Sequence, residues 1–301
     1  MKSKDVFMLF LLAALWGASF LFIRIGVAVL GPLVLVFLRV SIASLALLIY
    51  VAVRHKRLDV ARKWKQYLLL GLLNAALPFS LISTAELHLS ASLAAILNAT
   101  TPLFTALVTW VWLKDTLTVK KIFGLILGLL GVAVLVGWDP HHSGDRLFIS
   151  ASYSLLGALS YAFAGVYSSR VFRGERPMDM AIGQQLGASA MMLPLAGAAI
   201  PHAPLSTVVF LAVLGLAVFC TAFAYLLYFA LMRSVGPVKT LSVTFLIPVF
   251  GSVWGALILH ENISANVVLG LTIVLLSVVM VGNLSLRRNR QGVKTEVPSV
   301  K

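Results

Sequence analysis

The chain has 301 residues, of which 60% are apolar and 11% are charged. An ordinary soluble domain has about 45–50% apolar and about 25% charged residues, so this composition excludes a soluble protein. The formal net charge of +14 raises the question of nucleic-acid binding, which depends on where the basic residues lie. The single cysteine, Cys220, lies in an apolar run and excludes an intramolecular disulfide.

Apolar runs separated by turn residues and charges predict an all-α integral membrane protein with ten transmembrane helices, because about 20 apolar residues cross a bilayer as a helix. The first run follows Lys2 and Lys4, as in a signal peptide, but it lacks a convincing cleavage site. We therefore interpret it as a retained helix. The predicted spans are residues 5–27, 32–53, 67–88, 90–113, 120–137, 147–170, 178–200, 206–232, 237–259 and 264–284.

The basic residues lie mainly in the loops on one side of these spans, with a dense group between residues 54 and 65. The predicted outer loops contain Arg146 alone among the basic residues. The positive-inside rule therefore predicts a multi-pass protein of the inner cell membrane with both termini in the cytoplasm. Because the charges are spread over many loops, they do not predict a nucleic-acid partner. Residues 285–301 are polar and are predicted to form a disordered cytoplasmic tail.

An internal repeat emerges when residues 98–137 are aligned with residues 244–283. The alignment predicts two five-helix repeats, residues 1–138 and 147–284, and an odd number of crossings per repeat gives them opposite orientations. Inverted repeats of this kind are typical of secondary transporters, whose substrate site lies between the repeats near the bilayer midplane. The aligned pairs are Pro102 with Pro248, Phe104 with Phe250, Leu113 with Leu259, Asp115 with Glu261, and Gly124 with Gly270.

Several motifs, in this order along nearly the whole chain, resemble the EamA branch of the drug/metabolite transporter superfamily. The resembling segments are Ala14-Leu15-Trp16-Gly17-Ala18-Ser19-Phe20 with Arg24, Phe37-Leu38-Arg39, Thr101-Pro102-Leu103-Phe104, Trp112-Leu113-Lys114-Asp115, Ala224-Tyr225-Leu226-Leu227-Tyr228, Ile247-Pro248-Val249-Phe250 and His260-Glu261. The second half departs from the pattern, with Tyr161-Ala162 where the first half has Trp16-Gly17. The resemblance implies a ten-helix export permease with a central cavity for amino acids or other small metabolites. It does not name the substrate.

Three ionisable residues, Arg24, Arg39 and Glu86, fall inside the predicted spans, where such groups mark function or structural pairing. In the structural interpretation Glu86 neutralises an arginine and Arg24 extends to the outer interface. In the functional interpretation Arg39 binds a substrate carboxylate or gates the outer side. Either way, we expect Arg39 and Glu86 to interact directly or through water.

Polar residues on the apolar spans predict a central cavity for a small molecule. On the fourth span Asn98, Thr101, Thr105 and Thr109 share one helical face, which we expect to point away from lipid. Interhelical hydrogen bonding and ordinary aromatic packing remain an alternative for each residue. The predicted cavity residues are Trp16, Arg39, Asn98, Thr101, Tyr161, Thr221 and Tyr225, with Ser168 and Tyr228 as further candidates.

A second set of residues is predicted to have gating or structural roles. Pro102 and Pro248 fall near the centres of the fourth and ninth spans, where a proline bends a helix and creates either a pivot or a static kink. The small-residue pairs Gly124/Gly128 and Gly251/Gly255 permit close helix contact, more often internal than between subunits. The gating or structural set is Arg24, Glu86, Pro102, Asp115, Pro248 and Glu261.

Enzyme motifs are incomplete, and we predict no catalytic residue, metal or cofactor. His260-Glu261 begins a metalloprotease-like pattern, but Ser264 stands where the second histidine is required. His141 and His142 are too few ligands for a metal site. The predicted partners are a small-molecule substrate and the lipid bilayer. An intramembrane enzyme and a scaffold or receptor are the alternatives. The substrate, transport direction, coupling ion and oligomeric state stay open, and a monomer is compatible with the sequence.

Overall fold

The computed structural model describes residues 1–55, 57–137, 145–199, 205–240 and 242–281, and it is helical with no strand over these ranges. The predicted tail, residues 285–301, and the pair His141 and His142 lie outside them. The α-helices are α1 (Ser3–Val53), α2 (Trp64–Gly71), α3 (Leu77–Ala85), α4 (Ala91–Asn98), α5 (Thr101–Leu113), α6 (Val119–Gly137), α7 (Asp145–Val171), α8 (Pro177–Gly197), α9 (Thr207–Leu214), α10 (Ala224–Val235), α11 (Pro237–Thr240), α12 (Val243–Ile258) and α13 (Ala265–Val281).

Within the described residues, six helical stretches are long and apolar enough to cross a membrane. Two further helices, α12 and α13, are apolar but shorter. The all-helical, multi-pass character predicted from the sequence is therefore confirmed, whereas the number ten and the inverted relation of the halves stay predictions. The six stretches are Ser3–Val53, Ala61–Ala85, Ala91–Leu113, Val119–Val136, Arg146–Val171 and Thr207–Val235.

Helix α1 has 51 residues, far more than the roughly 20 needed to cross a bilayer once. It is interrupted at Gly31, whose φ of 70° and ψ of 164° are not helical. Glycine adopts this conformation without a steric penalty, and Pro32 then starts a new helix because its fixed φ suits a first turn. The interruption falls between the first two spans predicted from the sequence.

Two short π-helical segments connect consecutive helices. Leu72–Ala76 lies between α2 and α3, and Gly215–Phe223 lies between α9 and α10. In the second segment the Thr221 hydroxyl group donates to the Leu216 carbonyl, five residues back, at 2.8 Å. π-Helical turns are rare and occur frequently at functional sites.

Pro102 lies at the centre of the stretch Ala91–Leu113, as predicted, but it does not interrupt a continuous helix. Helix α4 ends at Asn98, and Ala99 and Thr100 form a turn before α5 starts at Thr101. Pro102 therefore lies in the first turn of a new helix, where its missing N–H breaks no helical hydrogen bond. Pro248, in contrast, lies inside α12 as predicted.

Small residues bring the helices into close contact. A Cβ atom added to Gly251 of α12 would lie 2.6 Å from the Ala95 side chain of α4. One added to Gly17 of α1 would lie 2.8 Å from the Gly251 nitrogen. Gly124 of α6 faces Ser277 of α13 in the same way. Both small-residue pairs predicted from the sequence therefore act in packing within the chain.

Candidate functional site

A cavity of about 320 Å³ lies between α1, α3, α7, α10, α12, the α4–α5 turn and the two π-helical segments. All seven residues that the sequence predicted to line a cavity, from Trp16 to Tyr225, contribute to its wall. They come together from segments far apart in the chain. The structure therefore brings these residues together around one cavity, whereas their role in binding stays a prediction.

Arg39 is the charged residue of the described cavity wall, and its side chain is only 6% exposed. Its Nε donates a hydrogen bond to the Thr221 hydroxyl group at 3.0 Å. Its guanidinium carbon lies 3.7 Å from the centroid of the Phe79 ring. The hydrogen bond and the ring fix one edge and one face of the guanidinium group, and together they orient a buried positive charge.

An aromatic cluster forms another part of the wall. The Trp16 ring lies 5.6 Å from the Tyr228 ring and 6.5 Å from the Tyr225 ring, measured between centroids. Gln184 of α8 donates to the Tyr225 hydroxyl group at 2.8 Å and accepts from the Asn74 amide at 2.7 Å. This chain of hydrogen bonds joins one π-helical segment to α10 and holds the tyrosine in place.

Unused polar atoms face the cavity at the α4–α5 turn and on α1. The Asn98 Oδ1 is buried without a hydrogen-bond partner among the described residues, and the Ser19 Oγ has only the weak donor of the Cys220 thiol beside it. Thr101 uses its hydroxyl group to donate to the Asn98 backbone carbonyl at 2.7 Å. A buried polar atom without a partner is costly. Asn98 and Ser19 are therefore available to a polar ligand or to water.

The predicted polar stripe on the fourth span extends less far than expected. The hydroxyl groups of Thr105 and Thr109 donate to backbone carbonyls four residues earlier, at 2.9 and 2.6 Å, and neither residue lines the cavity. Ser168 donates to the Gly165 carbonyl and is likewise absent from the wall. The helix backbone satisfies these hydroxyl groups, so a polar side chain on an apolar span did not by itself indicate a cavity position.

The described residues contain no direct hydrogen bond or ion pair between Arg39 and Glu86, and the alternative that they interact through water stays a prediction. Arg39 is bound by Thr221 and Phe79, and both carboxylate oxygens of Glu86 are buried without a hydrogen-bond partner. The guanidinium group of Arg24 donates to the Glu86 backbone carbonyl, and the extension of Arg24 to the outer interface stays a prediction.

The two acidic residues aligned by the repeat have different surroundings. Glu261 follows α12 and caps the start of α4, where it accepts from the backbone N–H of Ala91 at 2.7 Å and of Ser92 at 3.0 Å. Asp115 follows α5 and lies 3.8 Å from the Lys121 Nζ. Only the first of these contacts joins distant parts of the chain.

Sequence reasoning missed several residues of this site, among them Asn74, Phe79 and Gln184. Asn74 and Gln184 are amides within apolar runs, and this signal could have identified them. The contact of Phe79 with Arg39 has no counterpart in sequence spacing. The described residues contain no group of three or more metal-ligating side chains.

A chain of apolar helices around a buried cavity with one oriented charge has the architecture of a multi-pass membrane transporter. The sequence profile of the EamA-like transporter family matches residues 3–137 and 148–283, and the chain belongs to this family. The family predicted from the sequence motifs is thereby confirmed.

Named relatives and a solved structure agree with this assignment. The chain is 29% identical over 294 residues to the uncharacterized transporter YvbV of Bacillus subtilis, covering 94% of this chain and 93% of the relative. It is 30% identical over 282 residues to the uncharacterized inner membrane transporter YedA of Escherichia coli K12, covering 91% and 89%. A solved crystal structure matches with a TM-score of 0.66 and 16% identity over 93% of this chain and 96% of that one, which shows a shared fold.

Proposed function

We propose that this transporter exports or exchanges small metabolites, amino acids or related compounds, by alternating access through the central cavity. The chain would cross the inner cell membrane ten times with both termini in the cytoplasm. The observation that carries the proposal is the cavity itself, which combines an oriented guanidinium group, aromatic walls and unused polar atoms. Its volume of about 320 Å³ lies in the range of small-molecule sites.

Two findings support an inverted repeat. The family profile matches two successive stretches of similar length, residues 3–137 and 148–283. The alignment of residues 98–137 with 244–283 can be extended towards the N-terminus at the same offset. It then places the π-helical segment Leu72–Ala76 on residues 218–222, inside the second π-helical segment. A rare backbone feature at equivalent positions favours a common origin of the halves. Equivalent halves can exchange conformations and so open the site to either side.

The contacts around the cavity favour a state closed on the outer side. In the proposed topology Glu261 lies at the outer surface, where it joins the end of α12 to the start of α4. Asp115, its repeat counterpart at the inner surface, bonds only locally with Thr116 and Lys121 among the described residues. We infer that transport breaks the outer contact and forms an equivalent inner one.

Arg39 is proposed to bind a carboxylate or another anionic group of the substrate. Its Nε is taken by Thr221, its guanidinium carbon lies over the Phe79 ring, and an arginine fork suits a carboxylate. The aromatic cluster of Trp16, Tyr225 and Tyr228 would contact the apolar part of the same molecule.

Counterflow in proteoliposomes tests this function. Vesicles loaded with one unlabelled amino acid or related acid are assayed for uptake of the labelled compound, across a panel that includes the matching amines without a carboxylate. We expect uptake of at least one carboxylate compound in unaltered form, and loss of it in Arg39→Gln. The matched control is Arg233→Gln, in the last turn of α10 outside the cavity wall. Uptake of amines alone would overturn the role of Arg39, and chemical conversion of the compound would indicate an enzyme.

A further inference from the structure

Glu86 is a buried acid that does not line the cavity. Its side chain is completely buried, and neither carboxylate oxygen has a hydrogen-bond partner among the described residues. An ionised carboxylate without donors is among the most costly groups to bury, whereas a neutral carboxyl group is far less costly. A proton is therefore the simplest ligand that makes this arrangement stable.

The position of Glu86 connects it with the cavity. Phe79 and Ile82 line the cavity, and Glu86 follows them on the same face of the helix at the i, i+3, i+7 spacing. Glu86 is the residue directly after α3. A second pocket of about 350 Å³ is lined by Arg24, His88 and Glu261. Glu86 therefore lies along the chain between Ile82, which lines the cavity, and His88, which lines the second pocket, and it lines neither itself.

The charged groups around Glu86 come from each element packed against it. Arg24 and Arg39 face it from the two halves of α1, and Glu261 faces it from the end of α12. His88 lies in the loop that follows Glu86. Leu147 of α7 lines the second pocket, and its neighbour in the chain, Arg146, is exposed. An opening that admits water beside these groups would change the balance between the protonated and the ionised form of the Glu86 carboxyl group.

We propose that Glu86 binds a proton, and that this proton makes the opening of the cavity toward the outer side depend on pH. Its carboxyl group is protonated while the outer side is closed and releases the proton to water when that side opens. The ionised carboxylate then gains hydrogen bonds from water and from Arg24, and these stabilise the open state. The inference rests on the proposed alternating-access function, and it adds protons to the ligands that this transporter binds.

The test measures outer opening without knowledge of the substrate. In a Cys220→Ala background, Ile23→Cys places one thiol at a buried position of the cavity wall next to Arg24. A membrane-impermeant maleimide is added to the outer face of oriented proteoliposomes between about pH 5.5 and pH 8.5. The labelling rate is compared with that of the same protein carrying Glu86→Gln, which mimics the protonated carboxyl group. Taking the ratio of the two rates cancels the pH dependence of the thiol.

We expect this ratio to rise about threefold or more with pH, because only the protein with Glu86 gains an ionised, open state. The exposed Asp59→Asn serves as the matched control and should behave as the parent does. A ratio that stays constant while both proteins are labelled would overturn the proton site and leave alternating access intact. Absence of labelling from the outer face at every pH, with labelling from the inner face retained, would overturn both.

Discussion

Glu261, just after the end of α12, and Ser92, at the start of α4, are joined by two hydrogen bonds to one carboxylate oxygen. Glu261 Oε2 accepts from the Ser92 backbone N–H at 3.0 Å and from its hydroxyl group at 2.5 Å. The negative charge at the start of α4 also complements the helix dipole. This contact ties α4 to the end of α12.

Removal of this contact should weaken the outer closure. Glu261→Ala deletes a charged cap, which is worth about 1–3 kcal/mol for hydrogen bonds to a charged group. We expect a lower melting temperature in detergent and faster labelling of a cavity cysteine from the outer face. Asp59→Asn is the control, since Asp59 is an exposed acid outside both proposed contacts. Equal effects of the two variants on outer labelling would contradict a specific outer contact.

Pro102 and Pro248, which the internal repeat aligns, should differ in function because their helical positions differ. Pro248 lies inside α12, so Pro248→Ala restores a helical hydrogen bond and should lower turnover more than binding. Pro102 lies in the first turn of α5, so Pro102→Ala should change turnover less. Counterflow rates and binding measured on both variants check this order. Wild-type turnover in Pro248→Ala would rule out a pivot at this residue.

Gly71 should tolerate no side chain, because a Cβ atom there would lie 2.5 Å from the Gln184 carbonyl oxygen and 2.7 Å from the Ala188 nitrogen. Both neighbours are backbone of α8 and cannot move alone. We expect Gly71→Ala to destabilise the protein by about 1–3 kcal/mol. Gly165→Ala, whose added Cβ atom would meet nothing within 4 Å, should be neutral or stabilising. Thermal unfolding in detergent measures both, and equal melting temperatures would show that α2 and α8 are not in close contact.

Glu175, between α7 and α8, should make the stability of the protein depend on pH. The hydrogen bond from Lys63, together with the charges of Lys63 and Arg62, holds the pKa of Glu175 below its ordinary value of 4.5. Because the folded state lowers the pKa, the contact stabilises the protein at pH values above about 4.5 and is lost as the pH falls through the lowered value. The difference in melting temperature between the wild type and Glu175→Gln should therefore shrink below about pH 4.5. A difference that stays constant down to about pH 3 would show that the ion pair does not stabilise the fold.

Hydrophobic runs predicted the helices well, because a helix that crosses the bilayer needs about 20 apolar residues and such runs are visible in the sequence. The helix break at Gly31 and the close approach of Gly251 to α4 follow from residues that permit them. The π-helical segments were not predictable, since an i to i+5 register leaves no hydrophobic period of its own. The same holds for the pairing of Arg39 with Thr221 instead of Glu86. The partner of such a side chain depends on how distant helices pack together, and no local sequence pattern indicates this packing.

Access to the same cavity position from both sides of the membrane tests the central claim most directly. In a Cys220→Ala background, Ala99→Cys adds one thiol to the wall of the cavity at a small residue outside the proposed binding set. An impermeant maleimide is applied separately to the inner and the outer face of oriented proteoliposomes. Alternating access predicts labelling from each face, with labelling from the inner face faster. Labelling from one face only, under every condition in which counterflow proceeds, would contradict alternating access through this cavity.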